Sequence, residues 1–205
     1  SGMHRLSAMR TLGGKSIIAI VVPEPSVAYQ ILALNTEKAH NLREKAVEVI
    51  RMYRELAHLD EAMEEQYALE FEEPVFITLG LCYEERPRFS GGAYHPVLKR
   101  VEEFLKKSLR DSLVIRQRWA RTLLELDDQI VKQVEALKAK GLTSPYLKSF
   151  IVARVNPIRF RPKDAPPLSF DDALDRMTQA AQKFNPDKIK MDDLAKSGGA
   201  PEDSE

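Results

Sequence analysis

Only one of the 205 residues is a cysteine, Cys82. That excludes a disulfide framework and any multi-cysteine zinc site, and a lone thiol suits a reducing compartment. Long apolar runs are also lacking: none approaches the roughly 20 residues needed to cross a bilayer. The N-terminus has no basic segment followed by an apolar one, so no secretory leader is expected. The expected location is the cytoplasm, with no membrane partner. Net charge is a third absence. Lys+Arg and Asp+Glu number 31 each, for a formal charge of zero, which argues against a uniformly basic nucleic-acid binder and leaves local patches open. Apolar residues are plentiful. At 43% of the chain they suffice for a core and exclude general disorder, and the length suits one domain or one and a half.

The zero charge divides unevenly. Residues 163–205 hold 10 acids and 6 bases, a net of −4, which leaves 25 bases and 21 acids, a net of +4, on residues 1–162. The basic excess gathers at Lys148, Arg154, Arg159, Arg161 and Lys163, interleaved with Tyr146, Phe150 and Phe160. A second group is Arg110, Arg116, Arg118 and Arg121. Basic residues mixed with aromatics are a nucleic-acid cue; the plainer alternative is a solvated helix face. The segment Arg154-Val-Asn-Pro-Ile-Arg-Phe-Arg161 suits a contact with DNA or a protein partner. The tail 196–205, small, polar and acidic, is expected to be disordered.

Periodicity predicts a mainly helical chain. Residues 3–12 form a short helix with Leu6, Met9 and Leu12 in one stripe, stopped by Gly13-Gly14. The apolar, β-branched run 16–22 reads as a buried strand, followed by a helix over 25–34. Asn41 is the expected N-cap of a helix over 42–59, with Val47, Ile50, Arg54 and Leu56 near its packing side. Residues 60–70 continue or restart it. The stretch 74–84 is ambiguous between strand and short helix, and its surroundings favour helix. Residues 86–96 read as a loop and Pro96 as the start of a helix to Lys107. The longest pattern runs over 111–140, with Leu113, Ala120, Leu123, Ile130, Val134 and Leu137 on one side and Gly141 ending it. Helices are expected over 146–155 and, capped by Ser169, over 170–184, with a last short one near Asp192 and Asp193. Leu69–Arg88 and Leu98–Leu126 are the candidates for a helix-turn-helix, and neither has a clean turn signal. A single strand cannot satisfy its own backbone, so the run 16–22 needs strand partners from upstream sequence or another chain.

The first residues carry the most chemistry. Gly2 permits close backbone approach to a ligand, the following helix N-terminus offers free N–H groups, and Arg5 can donate two hydrogen bonds to a phosphate. Elsewhere the histidines show no paired metal spacing. Cys82 fits a buried structural thiol. The acidic run Glu64, Glu65, Glu70, Glu72 and Glu73 is a solvated face, a metal site, or a counterweight to the arginines at 110–121. Ser90-Gly91-Gly92 lacks the Lys-Ser/Thr of a phosphate loop and reads as a turn.

Gly2-Met3-His4-Arg5, a Gly-Gly turn, an apolar strand and a helix ending Leu34-Asn35 resemble the ParB/sulfiredoxin-like superfamily over about residues 1–45. Gly2 and Arg5 match its G-x-x-R phosphate box, and His4 matches the common histidine variant. Asn35 matches the asparagine of the second, E-N-x-x-R box, and Lys38 stands at its arginine. Leu34 replaces the glutamate that helps to hold a divalent metal in ParB-type proteins. Leu34-Asn35-Thr36 also suits the I-N-T box of the related DGQHR proteins, and Met3 stands at the cysteine that sulfiredoxins require. In this family strands precede the first box, so a chain that begins mid-domain is expected. The resemblance implies a fold that is mainly α: a small α/β ParB-like remnant over 1–40, a helical DNA-binding or dimerising region over 41–162, and a linker, helical segment and acidic tail over 163–205. It implies a partition-type, homodimeric DNA-binding protein. Gly2, His4, Arg5, Asn35 and Lys38 would hold the phosphates of CTP or another nucleoside triphosphate with Mg2+. Arg110, Arg116, Arg118, Arg121, Arg154, Arg159 and Arg161 are the expected DNA contacts. A ParB-like nuclease or nucleotide hydrolase is one alternative, and a helical interaction module without nucleotide is another.

Overall fold

Nine consecutive residues, Val75–Tyr83, are buried, and they lie on a helix rather than a strand. The computed structural model describes residues 3–17, 41–59, 61–159, 161–162 and 165–195. The chain divides into two compact units, Ser1–His40 and Asn41–Glu205.

In the first unit, α1 spans Met3–Thr11. It ends in a Schellman motif: the Gly14 amide donates to the Met9 carbonyl at 2.8 Å and the Gly13 amide to that of Arg10 at 3.1 Å. Gly13 takes φ +73°, a left-handed conformation that glycine adopts without strain. Leu6 and Met9 are half-buried, whereas Leu12, past the last helical turn, is 82% exposed. Ser16 and Ile17 are not in a strand. The rest of the expected strand, the helix over 25–34 and the tail 196–205 lie outside the described residues, so the α/β remnant is not seen. What is seen is mainly α, with no strand among the described residues.

In the second unit, α2 (Leu42–Leu59) is capped as its sequence implies, with the Glu44 amide donating to Asn41 Oδ1 at 3.0 Å. Ala46, Val49, Ile50, Tyr53, Leu56 and Ala57 form its buried face, while Val47 and Arg54 are only half-buried. A 3-10 turn, Glu64–Tyr67, leads into the single turn α3, Ala68–Phe71. Proline starts α4, Pro74–Glu85. An all-round apolar helix belongs in a core, and α4 packs against α2 and α6. The α2–α4 crossing is tight at Gly80. A Cβ there would lie 2.4 Å from the Ala46 carbonyl oxygen and 2.8 Å from Ile50 Cβ.

The helix expected to start at Pro96 instead runs from Gly91 to Leu98 as α5. Gly91 packs under the Tyr83 hydroxyl, only 2.4 Å from where a Cβ would stand. The helix stops before Lys107 because the next backbone groups bond to side chains: the Glu103 carbonyl accepts from Arg116, and the Leu105 amide donates to Glu64. The long helix α6 (Leu109–Ala139) is capped by Ser108 Oγ, which accepts from the Asp111 amide at 3.2 Å. It ends at Gly141, φ +82°. α7 (Leu147–Val155) and α8 (Phe170–Gln182, capped by Ser169) pack on α6 and on each other, and α9 covers Met191–Ala195. Trp119 of α6 stacks on Phe170 of α8 at 4.4 Å, so the helical segment after residue 163 shares the core of residues 41–162.

Neither expected helix-turn-helix forms. In Leu69–Arg88, α3 is one turn long and α4 is buried; in Leu98–Leu126, an irregular segment leads into one helix. Among the described residues no helix is long and apolar enough to cross a membrane.

Gly80→Ala is expected to lower stability by about 2–3 kcal/mol, because backbone and a branched side chain must yield to the added methyl. Urea denaturation followed by helical circular dichroism measures this.

Candidate nucleic-acid interface

The longest helix has two polar faces. On its outer face Arg110, Val114, Arg118 and Arg121 are exposed at steps of four, four and three, the spacing of one helical stripe. Arg110 Nε donates to the Ala57 carbonyl at 2.9 Å, which fixes the stem of that side chain. Arg118 pairs with Asp171 of α8 at 2.9 Å, with both side chains more than half exposed. Exposed pairs of this kind hold weakly, so a phosphate oxygen can replace the carboxylate.

Arg116 lies on the opposite face, and its expected role in DNA contact is corrected. Its side chain is 0% exposed. Its NH2 donates to Glu64 Oε1 at 2.6 Å and to the Glu103 carbonyl at 2.7 Å, its Nε to Glu64 Oε2 at 3.3 Å, and its NH1 to Glu102 Oε2 at 2.5 Å. The guanidinium also sits 5.0 Å from the Trp119 ring centroid. Burial opposes its charge, and Glu102 and Glu64 outweigh that, so it is held protonated. The carboxylates have further partners. The Tyr53 hydroxyl lies 3.0 Å from Glu64 Oε2 and 2.9 Å from the Leu109 carbonyl, the Leu105 amide donates to Glu64 Oε1 at 2.8 Å, and Thr78 Oγ donates to Glu102 Oε2 at 2.6 Å. No nucleic acid reaches this cluster in the folded protein.

The second basic group is dispersed. Lys148 donates to Asp127 Oδ1 at 2.8 Å, beside the Tyr94 hydroxyl at 2.7 Å. Arg154 lies 4.5 Å from the Phe150 ring centroid and 3.5 Å from Asp193. Arg161 NH2 donates to the Pro166 carbonyl at 2.6 Å, and Arg159 is exposed. Of the phosphate-box residues, Gly2, Asn35 and Lys38 lie outside the described residues. His4 and Arg5 fall within α1, with their side chains outside the description.

Of the acidic run, Glu64 meets the 110–121 group, at Arg116, while Glu72 and Glu73 pair elsewhere. Glu72 pairs with Lys45, and Glu73 takes His95 Nε2 at 3.0 Å and Lys99 Nζ at 2.5 Å. Burial alone would raise the Glu73 carboxyl, but the bonds from Lys99 and His95 outweigh it and hold its pKa below the usual range. Cys82 is buried, with its thiol pushed up by burial first and by Glu102 next, as an inert core thiol should be. Among the described residues no group of three His, Cys, Asp or Glu side chains converges to hold a metal. Sequence reasoning missed Glu102. The available signal was the phase of Arg116, which falls in line with Leu109, Ser112, Trp119 and Leu123, all buried; a charge on that face needs a buried partner.

No family profile, curated protein or solved structure matches the chain.

Arg116→Ala strands two buried carboxylates and is expected to lose about 3–5 kcal/mol, whereas Arg121→Ala should stay within about 0.5 kcal/mol. Urea midpoints of the two variants test the assignment of core and surface. Glu73 stabilises above the ordinary carboxyl pKa, and that stabilisation disappears as pH falls through its depressed folded value. Glu73→Gln should therefore narrow the loss of melting temperature between about pH 6 and pH 3, seen in thermal scans at both.

Proposed function

We propose that this chain is a cytoplasmic, nucleotide-responsive DNA-binding protein of the ParB-like type. The observation that carries the reading is the position of α1. It begins at Met3, directly after Gly2 in the sequence, so the G-x-x-R box coincides with a helix N-terminus, where backbone amides favour anions. Gly2, His4 and Arg5 would take the nucleotide phosphates, and Asn35 and Lys38 would close the site. Position 34 is Leu where the resembled family has a metal-holding carboxylate. Leu34 cannot supply that ligand, and the proposal is nucleotide binding, with no hydrolytic step.

The DNA contact falls on the outer stripe of α6. Arg110 to Arg121 covers about 16 Å at 1.5 Å per residue, or about five base pairs of duplex. Arg154, Arg159 and Arg161 would extend the contact beyond that stripe. A second copy of the chain would supply the other half-site. One observation favours the alternative of an interaction module without nucleotide: Leu59, Leu69 and Val114 are large apolar side chains left exposed in the second unit.

Calorimetric titration of CTP and of ATP with Mg2+, into the protein with any sequence encoded upstream of Ser1, is expected to show binding that Arg5→Ala abolishes. Absence of heat with both nucleotides refutes the nucleotide reading. For DNA, replacing Arg110, Arg118 and Arg121 together by Ala should flatten the slope of log affinity against log salt by about 3, roughly one per lost phosphate contact. An unchanged slope removes α6 from the interface.

A further inference from the structure

The segment between α5 and α6, residues 99–108, has little regular structure and is held to the core by the ion cluster. Glu102 brings its carboxyl to Arg116 and Thr78, Glu103 its carbonyl to Arg116, and Leu105 its amide to Glu64. Outside the cluster, the Lys107 carbonyl accepts from the Glu64 amide and the Ser112 hydroxyl, Ser108 bridges to Met63, Lys99 pairs with Glu73, Val101 is buried, and the Phe104 ring lies 6.5 Å from that of Phe71. The charges inside the cluster do not cancel when all are ionised: two carboxylates face one guanidinium, and all three side chains are 0% exposed. The surplus falls on Glu102. Glu64 has the paired grip of Arg116 with Tyr53 and Leu105 beside it, whereas Glu102 uses a single oxygen, and its Oε1 is buried without any hydrogen-bond partner.

From this geometry we propose that Glu102 is a proton-operated latch: protonated, it holds segment 99–108 against the core; on losing its proton to solvent, it loosens that segment. The latch does not depend on the nucleotide reading. The groups facing Glu102 come from every element around it. These are Glu64 of the 3-10 turn with Tyr53 of α2 behind it, Thr78 and Cys82 of α4, and Arg116 of α6. Burial is the largest influence on its carboxyl. Arg116 and the Thr78 hydroxyl oppose it, Glu64 adds to it, and the net effect raises the pKa to about 7. An acid whose folded pKa exceeds its unfolded one binds protons more tightly when folded, so its contribution to stability falls as pH rises between the two values. This is the reverse of the Glu73 effect and occupies a different pH window.

The protein reports on the latch through its single tryptophan, since Trp119 lies 5.0 Å from the Arg116 guanidinium. Titrating the full chain, Trp119 emission is expected to show one transition with a midpoint near pH 7. The exchange protection of the Leu105 amide, corrected for intrinsic rate, should fall about tenfold or more from pH 6 to pH 8. Thr78→Val removes a donor that favours the charged form and should move the midpoint upward, and Glu102→Gln should abolish the transition. Emission and protection that stay flat from pH 5.5 to 8.5 overturn the proposal. A transition that survives in Glu102→Gln also overturns it and assigns the titration to a histidine. If Glu102→Gln does not fold, the Thr78→Val midpoint decides: an upward shift supports the latch and no shift refutes it.

Discussion

The fold of the second unit depends on how a buried guanidinium is satisfied. Arginine cannot shed its charge, so burying Arg116 requires anions and acceptors around it from several directions. They arrive from the 3-10 turn as Glu64 and from the irregular segment as Glu102 and the Glu103 carbonyl, with Tyr53 of α2 and Thr78 of α4 bonding those carboxylates in turn. The fork of Arg116 on Glu64 adds a directional constraint to the apolar packing around it. A buried ion pair adds little net stability over a well-packed apolar replacement, but removing one partner alone is costly. The 3-10 turn and segment 99–108, neither of which has a regular ladder of its own, are positioned by it.

α6 therefore serves two surfaces with one rigid rod. The residues that lock it to the core, Ser112, Arg116, Trp119 and Leu123, alternate with the residues that face water, Arg110, Val114, Arg118 and Arg121. A side chain on the outer stripe is thus backed, a residue or two away, by a locked one. Sites built on such elements keep their geometry better than sites on loops, which suits a surface proposed to follow a regularly spaced phosphate backbone.

The elements legible in the sequence are those whose determinants are local. Asn41, Ser169, Gly13 and Gly141 bracket their helices as read, because a cap or a left-handed stop involves partners within a few residues. The α6 stripe is legible too, though Leu113 and Val134 are only half-buried. Nearness in sequence groups Arg116 with Arg110, Arg118 and Arg121; its helical phase calls for a buried partner, but the partners stand 52 and 14 positions away, and no local pattern says which they are. The same long-range bonds explain why residues after Leu98 abandon the helix that Pro96 suggested. In the candidate site, three arginines of α6 are exposed, one is core, and the phosphate-box residues fall outside the described side chains.

The all-round burial of α4 has a consequence for biosynthesis. Its last residue, Glu85, leaves the ribosome 54 residues before Ala139 completes α6, which covers it. At roughly 5–20 residues per second, this buried helix waits about 3–11 s for α6, with α2, α3 and then α5 as the neighbours made before it. The close fit at Gly80 is where α2 meets that apolar surface. Variants that loosen that fit would reduce yield in the cell before they reduced the stability of the finished protein.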